Sequence, residues 1–128
     1  MAIRKFTVAA TSDGSQVGTF YTPYLSGYIE SVQYVKHGVT PYTDGVDFTI
    51  TAEATGENIW TDTNINASEI VRPRAPTHTQ AGIAALYADA GVAVLDRIAL
   101  GRDRVKIVLA QAGASKIGTF VIAVDDGR

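Results

Sequence analysis

The chain has 128 residues, of which 46% are hydrophobic and 19% are charged, and it contains no cysteine. These totals predict a single globular domain over residues 1–128 and exclude disulfide bonds, thiolate catalysis and cysteine-bound zinc. The formal net charge of −2 gives no reason to expect a nucleic-acid partner, because phosphate binding needs clustered Lys and Arg. We also expect no membrane partner, and synthesis in the cytoplasm, because no segment is as long and apolar as a membrane span or the core of a signal peptide.

The first part of the chain predicts strands separated by turns. Residues 3–10 alternate apolar and polar side chains, and an Asp-Gly pair then favours a tight turn into a second strand at 16–22. Residues 27–36 have apolar side chains on both faces, which is typical of a strand covered on one face and contacting a partner or a loop on the other. Further turn-forming residues follow at 41–45.

Residues 43–60, TDGVDFTITAEATGENIW, combine the clearest alternation of the chain with the acidic residues Asp44, Asp47 and Glu53. A calcium loop needs oxygen ligands at alternate positions, a central glycine and a distal glutamate, and these acids lack that spacing. Paired-carboxylate hydrolysis needs two acids on opposite sides of a cleft, which the sequence does not indicate. We therefore interpret Asp44 as part of a turn and the other two acids as polar residues of a strand.

The alternation ends after residue 60. Residues 61–80 are rich in Asp, Asn and Ser and contain Pro73 and Pro76, which remove hydrogen-bond donors and restrict the preceding residues. We predict a long loop or irregular arm at about 61–80, whose deletion should leave the domain folded and weaken binding to a partner. Apolar residues at helical spacing, between a capping threonine and a glycine, predict one short helix at 79–91.

The last part of the chain returns to strands. Short alternating segments occur at 92–95, 104–110 and 117–124, with a turn at 113–116. Seven or eight short strands without a βαβ pattern predict an all-β fold. We expect an antiparallel β-sandwich or a jelly-roll-like barrel, with a long irregular arm and at most one short helix.

No group of residues in the sequence indicates catalysis. His37 and His78 belong to no metal-binding pattern and are interpreted as surface-loop residues. The segment GASKIGT at 113–119 lacks the lysine that follows the last glycine of a phosphate loop, and it connects two strands. We therefore predict no catalytic, cofactor-binding or metal site, and a protein that is not an enzyme.

Five residues are candidates for contacts with another protein. Arg72 and Arg74 lie beside prolines on the predicted arm, where their guanidinium groups could pair with acids of a neighbour. Tyr24 and Tyr42 lie beside prolines, and Trp60 lies next to a loop, as aromatic anchors of an interface often do. The competing interpretation is that the arginines are solvated surface and the aromatic residues belong to the core.

Two segments, YTDGVDFTITAEATGENIW and DRVKIVLAQAGASKIGTFVIAVDDG, resemble small proteins encoded among the head-assembly genes of tailed bacteriophages. The resemblance covers about residues 27–125 and includes no catalytic motif, so no residue role is transferred. It implies a decoration or cement protein in the virion, which binds the outside of the capsid and bridges copies of the major capsid protein. It also implies self-association as a homo-dimer or homo-trimer.

Two alternatives remain open. A head–tail connector or a tail component belongs to the same class of virion proteins. A glycan-binding β-sandwich, which would stack sugar rings on Trp60 and the tyrosines, belongs to another class.

Overall fold

The protein is built from two antiparallel β-sheets, as seen in a computed structural model that describes residues 2–127. Those residues form no helix, and both sheets are open, so the predicted all-β sandwich is confirmed and a closed barrel is not formed. The strands are β1 (Ile3–Thr11), β2 (Gly18–Tyr21), β3 (Leu25–Lys36), β4 (Val46–Ala52), β5 (Asn58–Ile65), β6 (Glu69–Val71), β7 (Arg74–Pro76), β8 (Leu95–Asp103), β9 (Val105–Ala110) and β10 (Ile117–Asp125).

Strands that are distant in the sequence are neighbours in both sheets. The larger sheet has the order β1-β10-β3-β8-β7, and β6 also pairs with β3. The smaller sheet has the order β2-β9-β4-β5. The long strand β3 pairs with β8 through residues 25–29 and with β6 through residues 32–34. Since β10 lies between β1 and β3, the first and last strands are side by side.

The hydrophobic core lies between the sheets and is formed by alternating side chains. Every second residue of β4 from Val46 to Ala52 is buried, as is every second residue of β9. Phe48 of the smaller sheet contacts Tyr34 and Phe120 of the larger sheet, with ring centroids 4.9 and 5.0 Å apart. Aromatic side chains bury more surface than other residues, so this cluster contributes strongly to holding the sheets together.

The helix predicted at 79–91 is not formed. The segment folds back on itself, with a bridge between Leu86 and Ala93, and Gly82 has a φ of 80°, which an α-helix does not accommodate. A helix this short is stable only when its apolar side packs against a core. Here Leu86 and Tyr87 are exposed to solvent, so no such packing supports a helix.

The segment 61–80 contributes more strand than the sequence predicted. β5 extends to Ile65, which is buried, and both β6 and β7 pair with the larger sheet. Pro76 fits in β7 because that strand lies at the sheet edge, where a missing donor is tolerated. The long irregular segment lies instead at 77–94, and we call it the flap. Deleting 61–80 would remove β6, β7 and the second part of β5 with the buried Ile65, so we no longer expect that deletion to leave the protein folded.

Candidate functional site

The flap is a folded-back loop that continues directly from the paired strands β7 and β8. At its base, the backbone N–H of Thr77 donates to Val94 O at 2.8 Å, and the N–H of Ala85 donates to Thr77 O at 2.9 Å. The N–H of Val94 donates to Ala85 O at 2.8 Å. Further out, the N–H of Tyr87 donates to Val92 O at 3.0 Å. These bonds give the flap a defined shape without a core of its own.

The surface of the flap is apolar and almost uncharged. Tyr87 and Val92 are each 75% exposed, and Ile83 and Leu86 are also exposed. The flap contains no Lys or Arg, and Asp89 is its only acidic residue. Contiguous exposed apolar surface is uncommon on monomeric proteins and marks interaction sites, whose centres are depleted of charge. The flap therefore has the surface chemistry of a protein-binding site.

The structure places Tyr42 and Trp60 in the core and not on the surface. They are only 3% and 8% exposed. The Tyr42 hydroxyl donates to Ala10 O at 2.6 Å, its ring stacks on Tyr34, and burial raises the pKa of Tyr42. Trp60 packs edge-on against Phe48 with ring centroids 5.7 Å apart. This burial contradicts the prediction that the two residues are interface anchors, because neither ring has a face free for a partner.

The other three predicted interface residues lie at or near the surface, but not together. Arg72 is exposed between β6 and β7. Arg74 is held against its own sheet: its guanidinium donates to Pro73 O at 2.7 Å and lies 3.9 Å from a carboxylate oxygen of Glu30. Tyr24 is 60% exposed. Tyr24 directly precedes Leu25, which pairs with Asp103, the last residue of β8. Arg74 pairs with Arg97, which is near the beginning of β8. The arginines and Tyr24 therefore lie at opposite ends of β8.

A charged cluster beside Arg74 stabilises the larger sheet. Arg97 donates to Glu30 at 2.6 Å and to Asp125 at 3.0 Å, and its guanidinium lies 4.4 Å from the ring centroid of Tyr28. The backbone N–H of Gly127 and the side chain of Arg97 lower the pKa of Asp125. A carboxyl group with a lowered pKa stays ionised near neutral pH, so Asp125 is suited to an ion pair and not to donating a proton.

A second surface cluster, which sequence reasoning missed, surrounds Arg104. Its guanidinium lies 3.9 Å from the ring centroid of Tyr21 and 5.1 Å from that of Tyr24. It also binds both oxygens of Glu53, at 2.7 and 2.8 Å, and these hydrogen bonds lower the pKa of Glu53. The two exposed tyrosines are thereby held by a cation with a fixed orientation. No sequence signal identifies this cluster, because its members come from three segments that are far apart in the sequence: the end of β2 and the link after it, the turn after β4, and the junction between β8 and β9.

Residues 2–127 contain neither a metal-binding cluster nor a membrane-spanning helix. In that range, no group of three or more His, Cys, Asp or Glu residues is arranged to hold a metal ion. The same part of the chain has no helix long and apolar enough to cross a membrane.

Comparisons with known proteins give no family for this chain. No protein-family model matches the sequence, and no curated protein matches it. Among solved structures, the chain is similar to the crystal structure of FLHE, with a TM-score of 0.45 and 7% sequence identity. That alignment covers 97% of this chain and 98% of the other. A similarity this weak carries no argument about function, and the resemblance to phage head proteins stays a prediction.

Proposed function

We propose that this protein is a structural component of a bacteriophage virion. In this role it binds the outside of the capsid and stabilises it by bridging major capsid proteins, as a decoration or cement protein does. The observation that carries the proposal is the exposed, nearly uncharged flap, and the resemblance of two sequence segments to phage head proteins supports it. The partners are the major capsid protein and other copies of the chain.

The flap suits attachment to a repeating lattice. It is anchored at both ends in paired strands of the larger sheet and closed by backbone hydrogen bonds, so little conformational entropy is lost when it binds. Copies that also contact each other on a capsid bind with a raised effective concentration, even when the apolar contact of each copy is small. Weak individual contacts can therefore give firm attachment.

The proposal is tested by co-sedimentation of the purified protein with capsids that lack it. We expect saturable binding at a fixed ratio to the major capsid protein. The double variant Tyr87→Ser/Val92→Ser should bind at least about tenfold more weakly, because burial of two large apolar side chains is lost. Val39→Ser is the matched control, since Val39 is 83% exposed but lies outside the flap.

Two outcomes would contradict the proposal. If the wild-type protein stays in the supernatant, it does not bind the capsid shell, and the alternative of a head–tail connector or tail component is tested in the same way with purified tails. If the flap variant and the Val39→Ser variant both bind like the wild type, the flap is not the binding surface. Light scattering of the free protein measures the predicted dimer or trimer separately.

The glycan-binding alternative now depends on other residues than Trp60, which is buried. The exposed aromatic rings fixed by Arg104 are those of Tyr21 and Tyr24, and rings of this kind can stack on sugars. A glycan-array signal that disappears with Tyr24→Ala and persists with Tyr87→Ser would favour this function over capsid binding through the flap.

A further inference from the structure

A cleft of about 420 Å³ opens at the end of the sandwich where β1, β8 and β10 meet the link between β2 and β3. This volume is in the range that holds small ligands. Its lining residues combine an apolar floor with a polar rim and are Arg4, Phe6, Tyr24, Leu25, Ser26, Arg102, Val124 and Asp126. Leu25 and Val124 are buried core residues. The floor of the cleft is thus formed by one end of the hydrophobic core.

Arg4 lies at the end of the inward-facing row of β1. Residues Phe6, Val8 and Ala10 form this row, and Arg4 continues it opposite Val124 of β10. An arginine in this register places its charge over the apolar end of the core. Its Nε atom is 3.7 Å from a carboxylate oxygen of Asp126, a long ion pair, and 66% of its side chain is exposed. The Arg4 side chain is therefore still accessible to an anion from solvent.

Arg102 is directed to the cleft by a β-bulge. Leu25 pairs with Asp103 and Gly27 with Leu100, so two residues of β8 stand opposite the single residue Ser26. Arg102, one of these two, has a φ of 48°, and its N–H donates to Ser26 Oγ at 2.8 Å. A β-bulge of this kind re-aims a side chain, and a non-glycine residue with positive φ persists only when its surroundings hold it.

The charge of Arg102 is not neutralised within the protein. Its side chain is exposed and forms no ion pair with residues 2–127. The cleft is lined by two arginines and one carboxylate, that of Asp126, so its net charge is positive although the chain as a whole has a net charge of −2. Tyr24 completes the rim, and its ring is held by Arg104, which is itself fixed by Glu53. Arg104 therefore favours one position of the Tyr24 ring at the rim of the cleft.

We propose that this cleft binds a carboxylate attached to an apolar group. The carboxylate contacts the guanidinium groups of Arg102 and Arg4, and the apolar part lies on Phe6, Leu25 and Val124 beside the ring of Tyr24. Arginine pairs with carboxylates through two parallel hydrogen bonds, which fixes the orientation of the ligand. Either a free organic acid or an acidic residue flanked by apolar residues in a partner's chain presents this chemistry. The site is at the end of β8 away from the flap and does not depend on capsid binding.

The test is an amide chemical-shift titration of the labelled protein with three probes. Hexanoate represents the free acid, acetyl-Leu-Glu-Leu-amide represents the acidic segment, and hexanamide is the uncharged match of hexanoate. We expect saturable shifts at residues 6, 26 and 102 with at least one of the two acids. Hexanamide should bind at least about tenfold more weakly than hexanoate, because it lacks the charge-assisted hydrogen bonds.

Two variants distinguish specific binding in the cleft from non-specific attraction of anions to arginine. Arg102→Gly removes the guanidinium and suits a positive φ, so the variant stays folded, and it should bind the acids at least about tenfold more weakly. Arg72→Ala removes an exposed arginine outside the cleft and should bind them like the wild type. Binding of hexanoate alone identifies a free acid as the ligand, and binding of the peptide alone identifies a partner's segment. The proposal is overturned if neither acid binds, if hexanamide binds as well as hexanoate, or if Arg102→Gly has no effect.

Discussion

The ring of Tyr42 lies directly against Gly118, so that a side chain at residue 118 would occupy the same space as the ring. Tyr42 precedes β4, and Gly118 is the second residue of β10. The Tyr42 hydroxyl also reaches Ala10 O of β1 at 2.6 Å. One tyrosine thus connects the link between β3 and β4 to two strands of the larger sheet, and this contact requires glycine at residue 118.

Gly118→Ala should destabilise the protein by about 2 kcal/mol, because the added methyl group displaces the Tyr42 ring and weakens its hydrogen bond. Urea denaturation measures the change in the free energy of unfolding. Gly38→Ala is the control, since no atom lies within 4 Å of a Cβ at that residue. It should change stability by less than about 1 kcal/mol. Equal changes in stability for the two substitutions would show that packing of the Tyr42 ring does not require glycine at residue 118.

Phe48→Ala should cost about 3–5 kcal/mol of unfolding free energy, because it leaves a cavity at the centre of the aromatic cluster. Phe48 contacts Tyr34, Trp60 and Phe120, which come from both sheets. Thr49→Ala, on the exposed face of the same strand, should cost less than about 1 kcal/mol. Denaturation followed by the fluorescence of Trp60 measures the free energy of unfolding of both variants. A small decrease for Phe48→Ala would mean that the aromatic cluster around Phe48 does not hold the two sheets together.

Asp125→Asn should lower the urea midpoint at pH 7, with a difference from the wild type that disappears in acid. The folded protein lowers the pKa of Asp125, so ionisation of this group stabilises the fold above its unfolded pKa of about 3.9. That contribution is lost as the pH falls through the folded value, where the protonated aspartate resembles asparagine. Asp89→Asn, at an exposed flap residue, is the control and should leave the midpoint at pH 7 unchanged. A difference for Asp125→Asn that grows in acid would contradict the prediction.

Replacing residues 78–93 of the flap with a four-residue Gly/Asn linker should leave the protein folded. Thr77 and Val94, which the linker joins, are already connected by a backbone hydrogen bond. The flap adds little buried surface, so the free energy of unfolding should change by less than about 1 kcal/mol. Circular dichroism and urea denaturation check this expectation. The shortened protein should not sediment with capsids, and a loss of the folded state would show that the flap supports the sandwich.

Local sequence patterns predicted the fold class because a half-buried strand alternates apolar and polar residues, and a few adjacent residues are enough to show this alternation. The alternation from Val46 to Ala52 is an example, and these residues form β4. Residues 79–91 of the flap were predicted as a helix because Ile83, Leu86 and Tyr87 have helical spacing. Spacing alone cannot tell whether a surface is available to cover an apolar stripe, and here none covers it.

Contacts between distant strands were not predictable from the sequence. Trp60 stands at the start of a polar segment, and its burial depends on Phe48, which only the pairing of β4 with β5 brings close. In the sequence, nothing distinguishes Arg102 from an ordinary surface arginine. Only the β-bulge opposite Ser26 directs its side chain to the cleft. The register of sheet pairing, which decides these cases, depends on the packing of the whole protein.

The central place of β10 in the larger sheet has a consequence for folding order. Its residues pair with β1 on one side and with β3 on the other, so neither pairing forms until residues 117–125 have been synthesised. A nascent chain that stops before them has β1 without a partner strand, and one edge of β3 stays open. The smaller sheet, complete at residue 110, has no such requirement. Assembly of the larger sheet is therefore a late event with high contact order, and a ribosome-bound fragment is the species most exposed to edge-to-edge aggregation.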